Sequence, residues 1–96
     1  MRALRIMLNS IAMVDVDSDT SALREAVGGE IEKVGLRDGG VMIVNRDGMQ
    51  QQYPHNDTAS CISGRHIYGT ALIVGADGDD FDDMPEQYLP LLGLEE

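Results

Sequence analysis

Between Val27 and Phe81 the chain is a series of short apolar runs, each cut within a few residues by glycine or asparagine. It reads VGGEIEKV, GGVMIVNRDG, NDTAS and IYGTALIVGADGDDF, in that order. A bilayer-spanning helix needs about 20 consecutive apolar residues, and each of these runs is far shorter. They are rich in Val and Ile, whose branched side chains suit a pleated strand better than a helix. The breaks carry Gly, Asn and Asp, which close tight turns and accept left-handed backbone. A chain divided in this way is held to a sheet of short strands.

Residues 41–44 and 71–74 are continuously apolar, which predicts strands covered on both faces. VMIVN and TALIVG are therefore expected at the centre of the sheet. At the N-terminus, Leu4, Ile6 and Leu8 alternate with Arg5 and Met7, and Val14 and Val16 alternate with Asp15 and Asp17. That period of two predicts a pair of half-buried strands joined at Asn9-Ser10. Ser18, Asp19 or Thr20 can cap a short helix over SALREAV, which Gly28-Gly29 ends. This helix is too short to stand alone and needs its Leu23, Ala26 and Val27 face packed on the sheet.

EIEKVGL predicts a third strand, turned through Arg37-Asp38-Gly39-Gly40 into VMIVN. A second turn at Asp47-Gly48 should send MQQQY back as an edge strand, broken at Pro54. Residues 56–63 predict a short helix capped by Asn56 or Asp57 and ended by Gly64. ADGDDFDD reads as a loop, and MPEQYLPLL as a final helix begun at Pro85 and cut short at Pro90. The fold class is α+β: one domain over residues 1–96, with a mixed, mostly antiparallel sheet of five or six strands and two or three short helices. Residues 76–96 form its acidic C-terminal tail.

The fragments quoted above resemble a family of small phage and bacterial mobile-element proteins known only as a domain of unknown function, number 3846. The resemblance covers about two-thirds of the chain. It rests on glycines, asparagines and apolar strands, so it implies a fold and a genomic habitat but carries no activity. It places recurrent asparagines at Asn45 and Asn56. Proteins of that habitat often act on host defence or regulation, which makes a counter-defence role an expectation of the company kept.

The net charge of −10 is concentrated. Residues 76–96 hold eight acids and no Lys or Arg, leaving nine acids against seven bases in residues 1–75. An acidic chain is unsuited to general binding along a nucleic-acid backbone, which relies on Lys and Arg displacing counterions. Six of the seven bases are Arg, suited to bidentate recognition of a small anion. The single cysteine, Cys61, allows no internal disulfide. No secretory leader or membrane span is legible, so a cytoplasmic location in the host cell is expected.

No catalytic motif is found, and no metal or cofactor is expected. Asp15, Asp17 and Asp19 imitate the start of a calcium loop, but Thr20 and Ala26 stand where it needs Gly and Glu. His55, Cys61 and His66 invite a zinc reading without supplying a fourth ligand. The polar residues of the middle are Asn45, Arg46, Asp47, Asn56, Thr58, Ser60, Arg65, His66 and Tyr68. From them we expect a non-enzymatic binding protein whose site draws on Asn45, Asn56, Thr58, Arg65 and His66. The expected ligand is a small phosphorylated or nucleotide-like metabolite, and the expected place is an interface of a homo-oligomer. The alternative is a protein–protein inhibitor or adaptor that presents Asp79, Asp80, Asp82 and Asp83 to a basic host protein. A hydrolase acting through His55 or His66 is a third expectation, and the weakest.

Overall fold

The structure, a computed structural model, describes residues 1–36, 39–78 and 80–95. Six strands form one sheet: β1 (Arg2–Ile6), β2 (Ile11–Asp15), β3 (Ile31–Gly35), β4 (Val41–Asn45), β5 (Ala71–Asp77) and β6 (Asp80–Asp82). Two α-helices, α1 (Thr20–Val27) and α2 (Asp57–Ser63), and a C-terminal 3₁₀ helix (Glu86–Glu95) complete the α+β domain.

The five longer strands lie in the order β2-β1-β5-β4-β3, and β6 adds to the far end of β5. Every pairing among the described residues is antiparallel. β5 is the middle strand and β4 lies beside it, as their unbroken apolar runs require. In β5, Ala71 and Ile73 face one side while Leu72 and Val74 face the other. β4 divides in the same way, with Met42 and Val44 opposed to Val41 and Ile43.

One face is packed by α1 through Leu23 and Val27. The opposite face is packed by Ala59 of α2 and Tyr88 of the 3₁₀ helix, together with Ile67 and Met84 from the segments that adjoin them. Each helix begins and ends as its residues dictate. The Asp19 carboxylate accepts the Ala22 N–H at the start of α1, and Gly28 ends it in the left-handed conformation. Asn56 and Gly64 do the same for α2.

Three segments depart from the sequence reading. MQQQY is a closing turn: Gln51 N–H bonds back to Asp47 and Tyr53 N–H to Gly48, which takes up the donors an edge strand would present. ADGDDFDD supplies the end of β5 and all of β6, because the acids alternate around Phe81 and leave that ring packed on the α1 face. The final segment takes the tighter 3₁₀ winding and carries Pro90 inside it. The β3–β4 hairpin forms as expected; its turn residues Arg37 and Asp38 lie outside the described residues.

Between β6 and the 3₁₀ helix the chain crosses β5 at Gly75. A Cβ on that glycine would run into the Asp83 carbonyl oxygen. The crossing is tied down where Met84 N–H donates to the Arg2 carbonyl and Arg2 N–H donates to the Asp83 carboxylate. The acidic segment is thus part of the sheet and core.

Candidate functional site

Asn45 ends β4 and is buried. Its Nδ2 donates to the Val27 carbonyl at 3.2 Å and to Gln51 Oε1 at 3.0 Å, and its Oδ1 accepts the Asp47 N–H at 2.8 Å. One amide therefore joins the end of α1, the end of β4 and the turn that follows. Its remaining freedom to meet a ligand is small.

Asn56 is fully buried and committed to the same number of partners. Its Oδ1 accepts the Ala59 N–H at 3.1 Å, and its Nδ2 donates to Ile6 O at 3.0 Å and Gly69 O at 2.8 Å. It caps α2 and at the same time fastens that helix to β1 and to the approach to β5. Burial without those partners would be costly, so its geometry is that of a structural fastener. Thr58 lies on α2 beside a shallow depression shared with Asp57, Cys61 and Ile62, away from Asn45.

Asn45, Arg65 and His66 do come together. They line a cavity of about 280 Å³ with Arg46, Tyr68 and Glu32. Its floor is set by close backbone approach: a Cβ at Gly48 would lie 2.7 Å from the Tyr68 carbonyl oxygen. Three of the five expected ligand residues thus share one concavity, while Asn56 and Thr58 stand outside it. Arg46 follows Asn45 directly in sequence; what places it here is the end of β4, where the chain leaves the sheet.

Both guanidinium groups are half exposed and weakly held. Arg65 Nη2 lies 3.4 Å from Glu32 Oε2, and Arg46 Nε lies 3.9 Å from Asp47 Oδ1. Exposed pairs of this kind contribute about 0–1 kcal/mol, so an incoming anion can displace the acids. Tyr68 also lines the wall, its ring set edge to face against His55 with 5.2 Å between centroids. Anion recognition at two arginines beside an aromatic ring is the chemistry this arrangement can perform.

His66 connects the cavity to a second polar group. Its Nδ1 lies 3.2 Å from His55 Nε2, and His55 Nδ1 lies 2.6 Å from Asp57 Oδ1. Ser60 Oγ lies 3.2 Å from the same His55 Nε2. Cys61 is exposed on α2 and has no part in this group. Sequence spacing joined His55 and His66 to Cys61; the fold joins them to Asp57 and Ser60. The isolated bridge between His55 and Tyr68 brings the two histidine segments together, and no local motif announces it.

A different cavity, of about 310 Å³, lies beside Met7, Leu8, Ala26, Val27, Tyr53 and Pro54. Among the described residues its one charged side chain is the acidic Glu25, which would repel an anion. Of the expected acidic partner surface, Asp80 and Asp82 are exposed on β6, Asp83 is engaged by the Arg2 N–H, and Asp79 lies outside the described residues. Among the described residues no three His, Cys, Asp or Glu side chains group to hold a metal ion, and no helix is long and apolar enough to cross a membrane.

No curated protein and no solved structure matches the chain. A family model spans nearly the whole sequence: over residues 1–92 the chain belongs to the family described as Domain of unknown function (DUF3846).

Proposed function

We propose that this chain is a non-enzymatic accessory protein of a phage or mobile element that binds a small phosphorylated or nucleotide-like ligand in the cavity beside Arg46 and Arg65. The observation that carries the reading is the pairing of two exposed guanidinium groups with His66 and Tyr68 around about 280 Å³. That volume falls near the lower end of ligand cavities, which run from about 300 to 1,000 Å³. The ligand is therefore of the scale of a phosphorylated sugar or a mononucleotide. Asn45 shapes the wall; Asn56 and Thr58 leave the ligand set, and Arg46 and Tyr68 enter it.

Binding without turnover would act by mass action in the host cytoplasm, holding a signal below the level its receptor needs. The cavity is formed within a single chain, so association into a homo-oligomer is a separate expectation, checked by light scattering. The ligand test is thermal melting against a panel of mononucleotides, cyclic mononucleotides and sugar phosphates, followed by calorimetry of any compound that raises Tm. A compound in the panel should raise Tm, and the paired change Arg46→Ala/Arg65→Ala should remove the rise while leaving the unliganded Tm nearly unchanged. A panel without effect, or an effect that survives the paired change, would count against the site.

The exposed Asp80 and Asp82 support a second reading, an adaptor or inhibitor of a basic host protein. Because β6 is fixed in the sheet, these acids stand on an ordered element. Asp80→Asn/Asp82→Asn should then slow association with such a partner and flatten its salt dependence. Equal association rates for the variant and the parent would exclude it.

A further inference from the structure

The second polar group carries chemistry of its own. Asp57 Oδ1 sits 2.6 Å from His55 Nδ1, so the carboxylate takes the Nδ1–H and fixes the tautomer. His55 Nε2 then carries a lone pair and lies 3.2 Å from His66 Nδ1, within reach of a hydrogen bond from that nitrogen while the site is empty. Ser60 Oγ also lies 3.2 Å from His55 Nε2; it accepts the Ile67 N–H at 2.8 Å, and its own proton can turn to the Ile67 carbonyl at 3.4 Å when Nε2 takes another partner. The two imidazoles are tilted by 54°, not stacked.

We propose that His55 Nε2 and His66 Nδ1, with Asp57 bracing the first, form a binding site for a borderline divalent transition metal such as Zn²⁺ or Ni²⁺. Imidazole nitrogen suits these ions, and Mg²⁺ and Ca²⁺ prefer oxygen ligands. With metal–nitrogen bonds of about 2.0–2.1 Å, a separation of this size corresponds to an angle at the metal of about 100°, close to tetrahedral. A carboxylate on the far nitrogen of a ligating histidine is the common outer-sphere arrangement, and its loss typically costs about 10–100-fold in affinity. The protein supplies two ligands, so water fills the remaining positions. Arg65 lines the same cavity as His66 and is only loosely paired with Glu32, so the ion binds against part of its charge. The site stands independently of the anion reading, although His66 belongs to both.

The chain has two histidines, so each imidazole can be followed without ambiguity. The experiment is titration of the untagged full chain with ZnCl₂, NiCl₂ and MgCl₂, read by calorimetry and by nitrogen-15 imidazole spectra. Zn²⁺ and Ni²⁺ should bind once per chain and shift both imidazoles together, with Mg²⁺ inert. Before metal is added, His55 should show its proton on Nδ1. His66→Ala should abolish the binding with the melting temperature preserved. Asp57→Asn should weaken it by about tenfold, toward the lower end of the outer-sphere range. Cys61→Ser should change nothing. The proposal is overturned if neither imidazole responds to stoichiometric Zn²⁺, if only one does, or if binding survives His66→Ala or is lost in Cys61→Ser.

Discussion

At the scale of single residues, the two asparagines and two of the glycines separate structural need from free surface. Asn56 satisfies one donor and two acceptors from three different segments while fully buried. Removing the amide leaves the Ile6 and Gly69 carbonyls and the Ala59 N–H without that partner. Each buried polar group so orphaned costs about 1–3 kcal/mol, partly relieved by water. Asn56→Ala should therefore lower stability by about 3 kcal/mol or more in urea denaturation. Recovery of full stability would show that the amide is dispensable. The glycines give a sharper contrast. At Gly75 an added methyl meets the Asp83 backbone, which cannot yield without undoing the crossing. At Gly35 the same methyl meets nothing within 4 Å. Gly75→Ala should cost at least about 2 kcal/mol, as overpacking against backbone does. Gly35→Ala should stay within about 0.5 kcal/mol, as surface substitutions do. Equal melting temperatures for the two variants would refute the crossing as described.

At the scale of elements, the last strand and the 3₁₀ helix bear more weight than an acidic segment suggests. Met84 and Tyr88 are buried in the face opposite α1, beside Ile67 and Ala59. Met84→Ala should destabilise by about 2–5 kcal/mol, the range for emptying a packed apolar site. A shift in the denaturation midpoint without a change in slope would mark it as a core loss. This part of the fold was poorly legible in the sequence for a physical reason. Strands are recognised by runs of apolar residues, and β6 shows one apolar residue, Phe81, between Asp80 and Asp82. By contrast β4 and β5 were readable because burial on both faces leaves no polar interruption. The caps were readable too, since Asp19, Gly28, Asn56 and Gly64 act on groups within four residues of themselves. The candidate site was half legible. Arg65 and His66 could be picked out by chemistry, but their neighbours Arg46 and Tyr68 depend on how β4 ends and where the loop before β5 returns. That return is a long-range pairing, His55 with Tyr68, which no local pattern encodes.

At the scale of the whole molecule, the charge is divided between an acidic segment and a nearly balanced remainder, and the two should respond oppositely to salt. The acids of residues 76–96 repel one another while β6 holds two of them, Asp80 and Asp82, on the sheet. Screening reaches over about 30 Å at 0.01 M salt and about 8 Å at 0.15 M, so this repulsion is largely removed within the ordinary range. Tm should rise with NaCl, and the rise should shrink in Asp80→Asn/Asp82→Asn. Anion recognition at Arg46 and Arg65 should run the other way, because the same screening weakens attraction between exposed guanidinium groups and a phosphate. A ligand bound in that cavity should therefore lose affinity across a salt range over which the fold gains stability. The two trends are measured independently, by melting the free protein and by calorimetry of the complex. If affinity and Tm rose together with salt, apolar contacts would dominate binding, and the ligand would belong in the cavity beside Met7, Leu8 and Tyr53 instead.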